Sequence, residues 1–315
     1  MPTPDFSLPL TLTILGSGAW GKVLSSLLER NGHKVQLWSR RQNRSLEATL
    51  RGCPIVVSAV SIKGVPELAR QVRAIGLAPG TILVSATKGL DGETTCLASQ
   101  IWQENLPEHS IVVLSGPNLA KEIRAGLPAA TVVASHVPEA AQKVQWVLAS
   151  DRFRVYTHHD PLGTELGGTL KNVVAIAAGV SDGLELGTNA KSALITRSLS
   201  EFTRVGTVLG GKTETFFGLS GLGDLLATCN SPLSRNYQVG FRLARGQSLE
   251  TALAEIGETA EGVNTANVLF DIAQKRNISM PIAHQVYLLL HNKITPSQAV
   301  ESLMERELKS ETPGA

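Results

Sequence analysis

An apolar run, Leu12-Thr13-Ile14-Leu15, leads into Gly16-Ser17-Gly18-Ala19-Trp20-Gly21 and then into Val23-Leu24-Ser25-Ser26-Leu27-Leu28. Glycines at the first, third and sixth places of a strand-to-helix turn restrict the fold more than any other feature of the chain. The first permits the tight turn, the second lets a ligand reach the backbone, and the third lets helix lie on strand. The helix start adds unpaired N–H groups and a positive dipole end. A dinucleotide pyrophosphate belongs in such a turn, with Gly16, Ser17, Gly18, Ala19, Trp20 and Gly21 as its contacts. The motif is weak when it stands alone; here a second apolar strand, Val35-Gln36-Leu37-Trp38, follows it at the right interval.

Strand-length apolar runs recur at 11–15, 34–38, 54–60, 81–86 and 111–115, with helix-compatible segments between most of them. That alternation predicts βαβ units and a parallel sheet. Two weaker strands, Thr131-Val132-Val133-Ala134 and Phe153-Arg154-Val155-Tyr156, complete it, and beyond Tyr156 the sequence reads as helices broken by Gly, Asn and Pro. The expected fold is α/β: a Rossmann-type parallel-sheet domain over residues 1–157, then an all-α domain over 158–315. Only Ser39 to Cys53 separate the second strand from the third, room for one short helix, so the strand at 34–38 is predicted to be the sheet edge. Residues 310–315 read as a disordered tail.

The 315 residues are 43% apolar and 18% charged, enough for a large buried core. A formal charge of +2 with no run of five like charges argues against a nucleic-acid partner. Met1-Pro2-Thr3-Pro4-Asp5-Phe6 has no basic stretch followed by an apolar one, and no apolar run reaches the ~18 residues of a membrane span. A cytoplasmic location is expected. Cys53, Cys96 and Cys229 are scattered, which reads as buried free thiols. The seven histidines lack metal-ligand spacing, and His158-His159-Asp160 reads as a turn and helix cap.

Several residues are placed for chemistry. The second strand ends in Ser39-Arg40-Arg41, where an acidic residue would hydrogen-bond an adenosine ribose. A guanidinium there pairs instead with a 2′-phosphate, each charge-assisted bond being worth roughly 1.5–3 kcal/mol, so NADP is favoured over NAD. Lys88, after the strand ending Val84-Ser85-Ala86, and Gly116 with Asn118, after the strand ending Val113-Leu114-Ser115, lie at carboxyl ends of strands, where open α/β sheets bind ligands. In the helical half, Gly167-Gly168 precede Lys171-Asn172 in an apolar helix. Paired glycines cost a helix roughly 1 kcal/mol each, so something must approach that backbone closely. A lysine desolvated there loses part of its preference for the charged form, which makes Lys171 the expected general acid/base. Asp224 and Thr228 fall on one helical face. Ser234-Arg235-Asn236 combines a helix cap with a guanidinium, a set suited to a phosphate monoester.

Taken together, Gly16 to Gly21, Ala86-Thr87-Lys88-Gly89-Leu90, Ser115-Gly116-Pro117, Leu170-Lys171-Asn172-Val173, Gly179-Val180-Ser181-Asp182-Gly183-Leu184, Asn189-Ala190-Lys191-Ser192, Gly221-Leu222-Gly223-Asp224-Leu225, Ser234-Arg235-Asn236 and Glu261-Gly262 span nearly the whole chain. In that order they resemble NAD(P)-dependent glycerol-3-phosphate dehydrogenases of the bacterial type. The resemblance implies reversible reduction of dihydroxyacetone phosphate to sn-glycerol 3-phosphate, a precursor of glycerophospholipids. It implies Lys171 as proton donor or acceptor, and Lys88, Gly116, Asn118, Asn172, Asp224, Ser234, Arg235 and Asn236 around the substrate. Ala19, Trp20, Arg40, Lys88, Ala120, Arg235, Thr259 and Glu261 would meet the cofactor, and a homodimer is expected by fold analogy. The chain departs from the family's pattern in its short segment after the second strand, at Val60-Ser61-Ile62, and at Asn118, usually Ser or Thr. From the residues alone, a related two-domain dehydrogenase of 3-hydroxy acids and a non-catalytic NADP sensor stay open.

Overall fold

The computed structural model describes residues 9–42, 44–257, 259–308 and 310–311. The start of the chain and residues 312–315 of the expected tail lie outside them. The strands are β1 (Thr11–Leu15), β2 (Lys34–Trp38), β3 (Ile55–Ser58), β4 (Ile82–Ser85), β5 (Ile111–Ser115), β6 (Ala129–Ala134) and β7 (Phe153–His158). Between them lie α1 (Ala19–Arg30), α2 (Leu46–Leu50), α3 (Val65–Ile75), α4 (Ala98–Asn105), α5 (Ala120–Arg124) and α6 (Pro138–Leu148). After β7 come α7 (Pro161–Gly183), α8 (Gly187–Val208), α9 (Thr213–Phe216), α10 (Asp224–Cys229), α11 (Arg235–Ala244), α12 (Leu249–Ile256), α13 (Glu261–Arg276), α14 (Pro281–Leu290) and α15 (Pro296–Met304).

The sheet order is β2-β1-β3-β4-β5-β6-β7, with β2 at the edge as expected and the five-residue α2 filling the short connection. Strands β3, β4 and β5 are apolar nearly throughout because both faces are covered. On one face Leu12, Ile14, Val57 and Val84 pack with α1 and α6; on the other Leu15, Val56 and Leu83 pack with α3 and α4. The expectation of a parallel sheet holds except at one pairing: β6 runs antiparallel to β5, with Leu114 opposite Val133. Only the one-and-a-half-turn α5 lies between them, too little to carry the chain across a sheet face, so the chain reverses instead.

The strands from β1 to β5 therefore end along one edge, and α7 lies over it. Asp160 begins α7 by accepting the Gly163 N–H at 2.9 Å, with Pro161 in the first turn. This helix is apolar and buried on nearly every side, the mark of a central helix rather than a surface one. It forms the axis of a second core with α8, α11, α13 and α14. Its crossing with α11 is close enough to need glycine on both helices: a Cβ on Gly179 would strike the Tyr237 carbonyl, and one on Gly240 the Ile176 carbonyl.

The cysteines are free; Cys53 and Cys229 are buried, but Cys96 is only half-buried, because the Asp91–Leu97 turn that carries it lies at the surface. No helix among the described residues is long and apolar enough to cross a membrane, and none of their His, Cys, Asp and Glu side chains cluster for a metal.

Candidate active site

Where α7 crosses the strand ends, Asp224 holds two lysines at once. Lys88, on the loop after β4, donates to Asp224 Oδ2 at 2.6 Å and to the Gly116 carbonyl at 3.1 Å. Lys171, on α7, donates to Asp224 Oδ1 at 2.9 Å and to the Thr228 hydroxyl, which itself donates to Asp224 Oδ1 at 3.3 Å. The four side chains come from three segments of the chain, Asp224 and Thr228 sharing α10. Burial pulls the Lys171 ammonium down to about 8, with Lys88 adding repulsion and Asp224 opposing both. Two ammoniums against one carboxylate leave a net positive charge in a partly dry site, which favours an anionic ligand.

The local backbone explains how these groups meet. Gly168 lies under Ser115 and the Lys88 stem, so that a Cβ there would collide with the Ser115 hydroxyl and come within 3.3 Å of Lys88 Cε. The close approach that the paired glycines implied is this one, together with Gly167 against the Ser220 carbonyl. A single π-helical turn, Leu219–Gly223, precedes α10 and delivers Asp224 into its first turn; such turns are frequent at functional sites.

The second expected cluster is adjacent. Ser234 caps α11 by accepting the Tyr237 N–H at 3.3 Å, which leaves Arg235 exposed at the helix start. Asn236 donates to Asn172 Oδ1 at 3.0 Å, and its own Oδ1 accepts the Gly262 N–H at 2.9 Å. It thereby ties α7, α11 and the start of α13 together.

The dinucleotide turn is formed as expected. Gly16, buried at φ +118°, has the Ala59 carbonyl where a side chain would point, and Gly18 opens α1 with clear space beyond its Cα. Arg40 and Arg41 are exposed after β2. Glu261 reaches from α13 to this edge: Oε1 accepts the Ile62 N–H at 3.4 Å, while Oε2 is buried without a partner. Burial raises its pKa, against the pull of Arg235 and Lys63. Open space over a helix start and an unpartnered carboxylate oxygen beside it fit a dinucleotide lying across this edge, with Ser17, Ala19 and Trp20 along α1.

Three expected contacts sit further out. Asn118 spends its amide within the β5–β6 connection, donating to the Ala130 carbonyl at 3.2 Å and accepting from Thr131 Oγ1 at 2.9 Å. Ala120 starts α5, packed toward the sheet core, and Thr259 is exposed ahead of α13. Sequence reasoning missed Thr169 and Glu165. Thr169 Oγ1 accepts the Gly89 N–H at 3.0 Å, and Glu165 is fully buried against the start of α4. An acid in so apolar a helix was the available signal.

A Rossmann-type sheet whose ligand edge is closed by a helical half, with a Lys-Asp-Lys cluster spanning the two, defines a nicotinamide-dependent dehydrogenase class. Residues 11–47 and 41–141 match the N-terminal region, and residues 160–301 the C-terminal region, of the NAD-dependent glycerol-3-phosphate dehydrogenase family. The chain belongs to that family. It is 62% identical over 303 residues to a glycerol-3-phosphate dehydrogenase [NAD(P)+] of Synechocystis, covering 96% of each chain, and 60% identical over 301 residues to one of Nostoc, covering 96% of this chain and 98% of that one. The crystal structure of glycerol-3-phosphate dehydrogenase from Coxiella burnetii superposes with a TM-score of 0.91 at 36% identity, over 95% of this chain and 99% of that one. A ketopantoate reductase from Staphylococcus aureus, at TM-score 0.54 and 11% identity over 92% of this chain and all of that one, shares the fold alone.

Proposed function

We propose that this chain reduces dihydroxyacetone phosphate reversibly to sn-glycerol 3-phosphate, with NADPH preferred over NADH, and so supplies glycerophospholipid synthesis. The observation that carries the reading is the Asp224-centred pair of lysines beside a capped arginine, within a chain of this family. Bound NAD(P)H supplies the hydride. The chain's own residues do the rest: Arg235, at the start of α11, and the positive Lys88 region receive the phosphate, Asn236 and Asn172 fix the wall behind it, and Lys171 faces the carbonyl. As hydride reaches the ketone carbon, the oxygen gains the C=O electron pair and takes a proton from Lys171 Nζ. Asp224 and Thr228 hold that ammonium in place, and in the reverse direction neutral Lys171 accepts the proton.

The rest of the proposal concerns organisation: a dinucleotide domain over residues 1–157 and a substrate domain over 158–315, a cytoplasmic homodimer, and no nucleic-acid partner. The division is supported by the clusters flanking the sheet, which lie wholly before the β7–α7 junction, and by the core around α7, which lies after it apart from Leu90 and Leu97 of the β4–α4 loop; the low net charge supports the last point. The test is to mix the purified protein with NADPH and candidate carbonyl compounds and follow nicotinamide absorbance. Oxidation with dihydroxyacetone phosphate and not with 3-oxo acids is expected; turnover of the acids alone would overturn the reading.

A further inference from the structure

The loop that presents Lys88 runs from β4 to α4 and is gripped along its length by the helical half. At its near end Thr169 of α7 accepts the Gly89 N–H at 3.0 Å. In the middle Asn264 of α13 donates to the Leu90 carbonyl at 2.7 Å. At its far end both oxygens of Glu165 receive the Ser99 N–H, at 3.1 and 3.3 Å, in the first turn of α4. Glu165 and Thr169 lie one turn apart on α7, and Lys171 follows on the same helix. The helix that carries one lysine of the Asp224 pair thus holds both ends of the loop that carries the other.

We propose that Glu165 is a positioning residue for the reaction: by fastening the start of α4 to α7 it sets the place of Lys88 relative to Lys171, and so the geometry in which Asp224 holds both. The inference rests on the reading of Lys88 and Lys171 as the substrate site. The carboxyl is 1% exposed, and burial pushes it up to about 7, against the pull of the N–H groups at the start of α4. A buried carboxylate is expensive to keep ionised. A neutral residue of the same shape would hold the fold as well or better, so stability does not account for an acid here. What the charge adds is a stronger hold on the Ser99 N–H, since hydrogen bonds to an ionised acceptor are roughly twice as strong as neutral ones.

The test compares Glu165→Gln, Glu165→Leu and Lys88→Met in the full-length chain at pH 8. It measures kcat and KM for dihydroxyacetone phosphate, the NADPH dissociation constant and the thermal midpoint. Glu165→Gln keeps the shape and a carbonyl acceptor, and is expected to lower kcat/KM about tenfold, with NADPH affinity within about twofold of the parent. Its midpoint is expected to be equal or higher, which a merely structural residue would not give. Glu165→Leu removes the acceptor and is expected to lose more activity than the Gln variant. Parental kcat/KM in the Gln variant, or activity lost only in step with the midpoint and with NADPH affinity, overturns the inference. Lys88→Met separates the two failures. If it is inactive while the Glu165 variants are parental, the positioning role alone falls; if it too is parental, the reading of the substrate site falls with it.

Discussion

Replacing Lys171 by Met isolates the chemical step. Met keeps most of the apolar stem inside α7, where the side chain is largely buried, but it can neither donate nor accept the proton. The substitution does not strand the carboxylate, because Lys88 remains on Asp224 at 2.6 Å. The usual penalty of about 3–5 kcal/mol for a buried charge left unpaired is thereby largely avoided. General acid catalysis contributes typically 10²–10⁴-fold, so kcat for dihydroxyacetone phosphate reduction is expected to fall at least about a hundredfold, or ~2.7 kcal/mol of barrier. NADPH affinity and the thermal midpoint at pH 7.5 should change little. The pH profile carries the same signature. With Lys171 pulled down to about 8, reduction by the parent protein, which needs the protonated amine, declines as pH rises through 8. Oxidation of glycerol 3-phosphate, which needs the neutral amine, rises over the same range. Both limbs vanish in Lys171→Met. Stability moves with the same proton: between about 8 and 10.5 the unfolded chain binds it more than the folded one, so stability of the parent rises with pH across that window, by an amount on the order of 3 kcal/mol. The variant lacks that rise. Stopped-flow single turnovers and urea titrations across pH measure both. Turnover near that of the parent, or a loss of NADPH binding as large as the loss of rate, would refute the role.

Neutralising Arg40 and Arg41 together should raise the NADPH Michaelis constant at least about tenfold, one lost interaction of ~1.4 kcal/mol, while NADH kinetics stay nearly unchanged; equal effects on both cofactors would remove the arginines from 2′-phosphate recognition. Arg235→Ala should weaken dihydroxyacetone phosphate and spare residual activity with unphosphorylated dihydroxyacetone, whereas a loss shared by both would assign Arg235 to holding α11 in place. Gly240→Ala puts a methyl group against the Ile176 carbonyl and the Val180 N–H; overpacking of this kind costs typically ~1–3 kcal/mol, and the urea midpoint should fall accordingly. An unchanged midpoint would mean that α7 and α11 can part without penalty.

The local rules of the chain fixed much of this architecture. Gly16, Gly18 and Gly21 specify the first turn because only a residue without a Cβ meets the Ala59 carbonyl or leaves open ground over α1. Period and length of the apolar runs place β1 to β5, and the short segment from Ser39 to Cys53 leaves β2 at the edge. Lys171 stood out because a charge in an apolar helix has to be explained, and Ser234 because hydroxyls before a helix cap it.

Tertiary structure decided what periodicity does not encode. No local signal says that β6 turns back against β5, since a strand's pattern is the same in either direction. Nor does sequence spacing bring Lys88 within 2.6 Å of Asp224, residues 136 positions apart. That meeting depends on α7 crossing the strand ends at the distance Gly168 permits. The paired glycines announced a close approach but not its partner, and Glu165 passed unnoticed because its meaning lies in Ser99, on another element. Local sequence sets which backbone each segment prefers; the chemistry of this protein arises where the β4–α4 loop, α7 and α10 converge, and only packing determines that convergence.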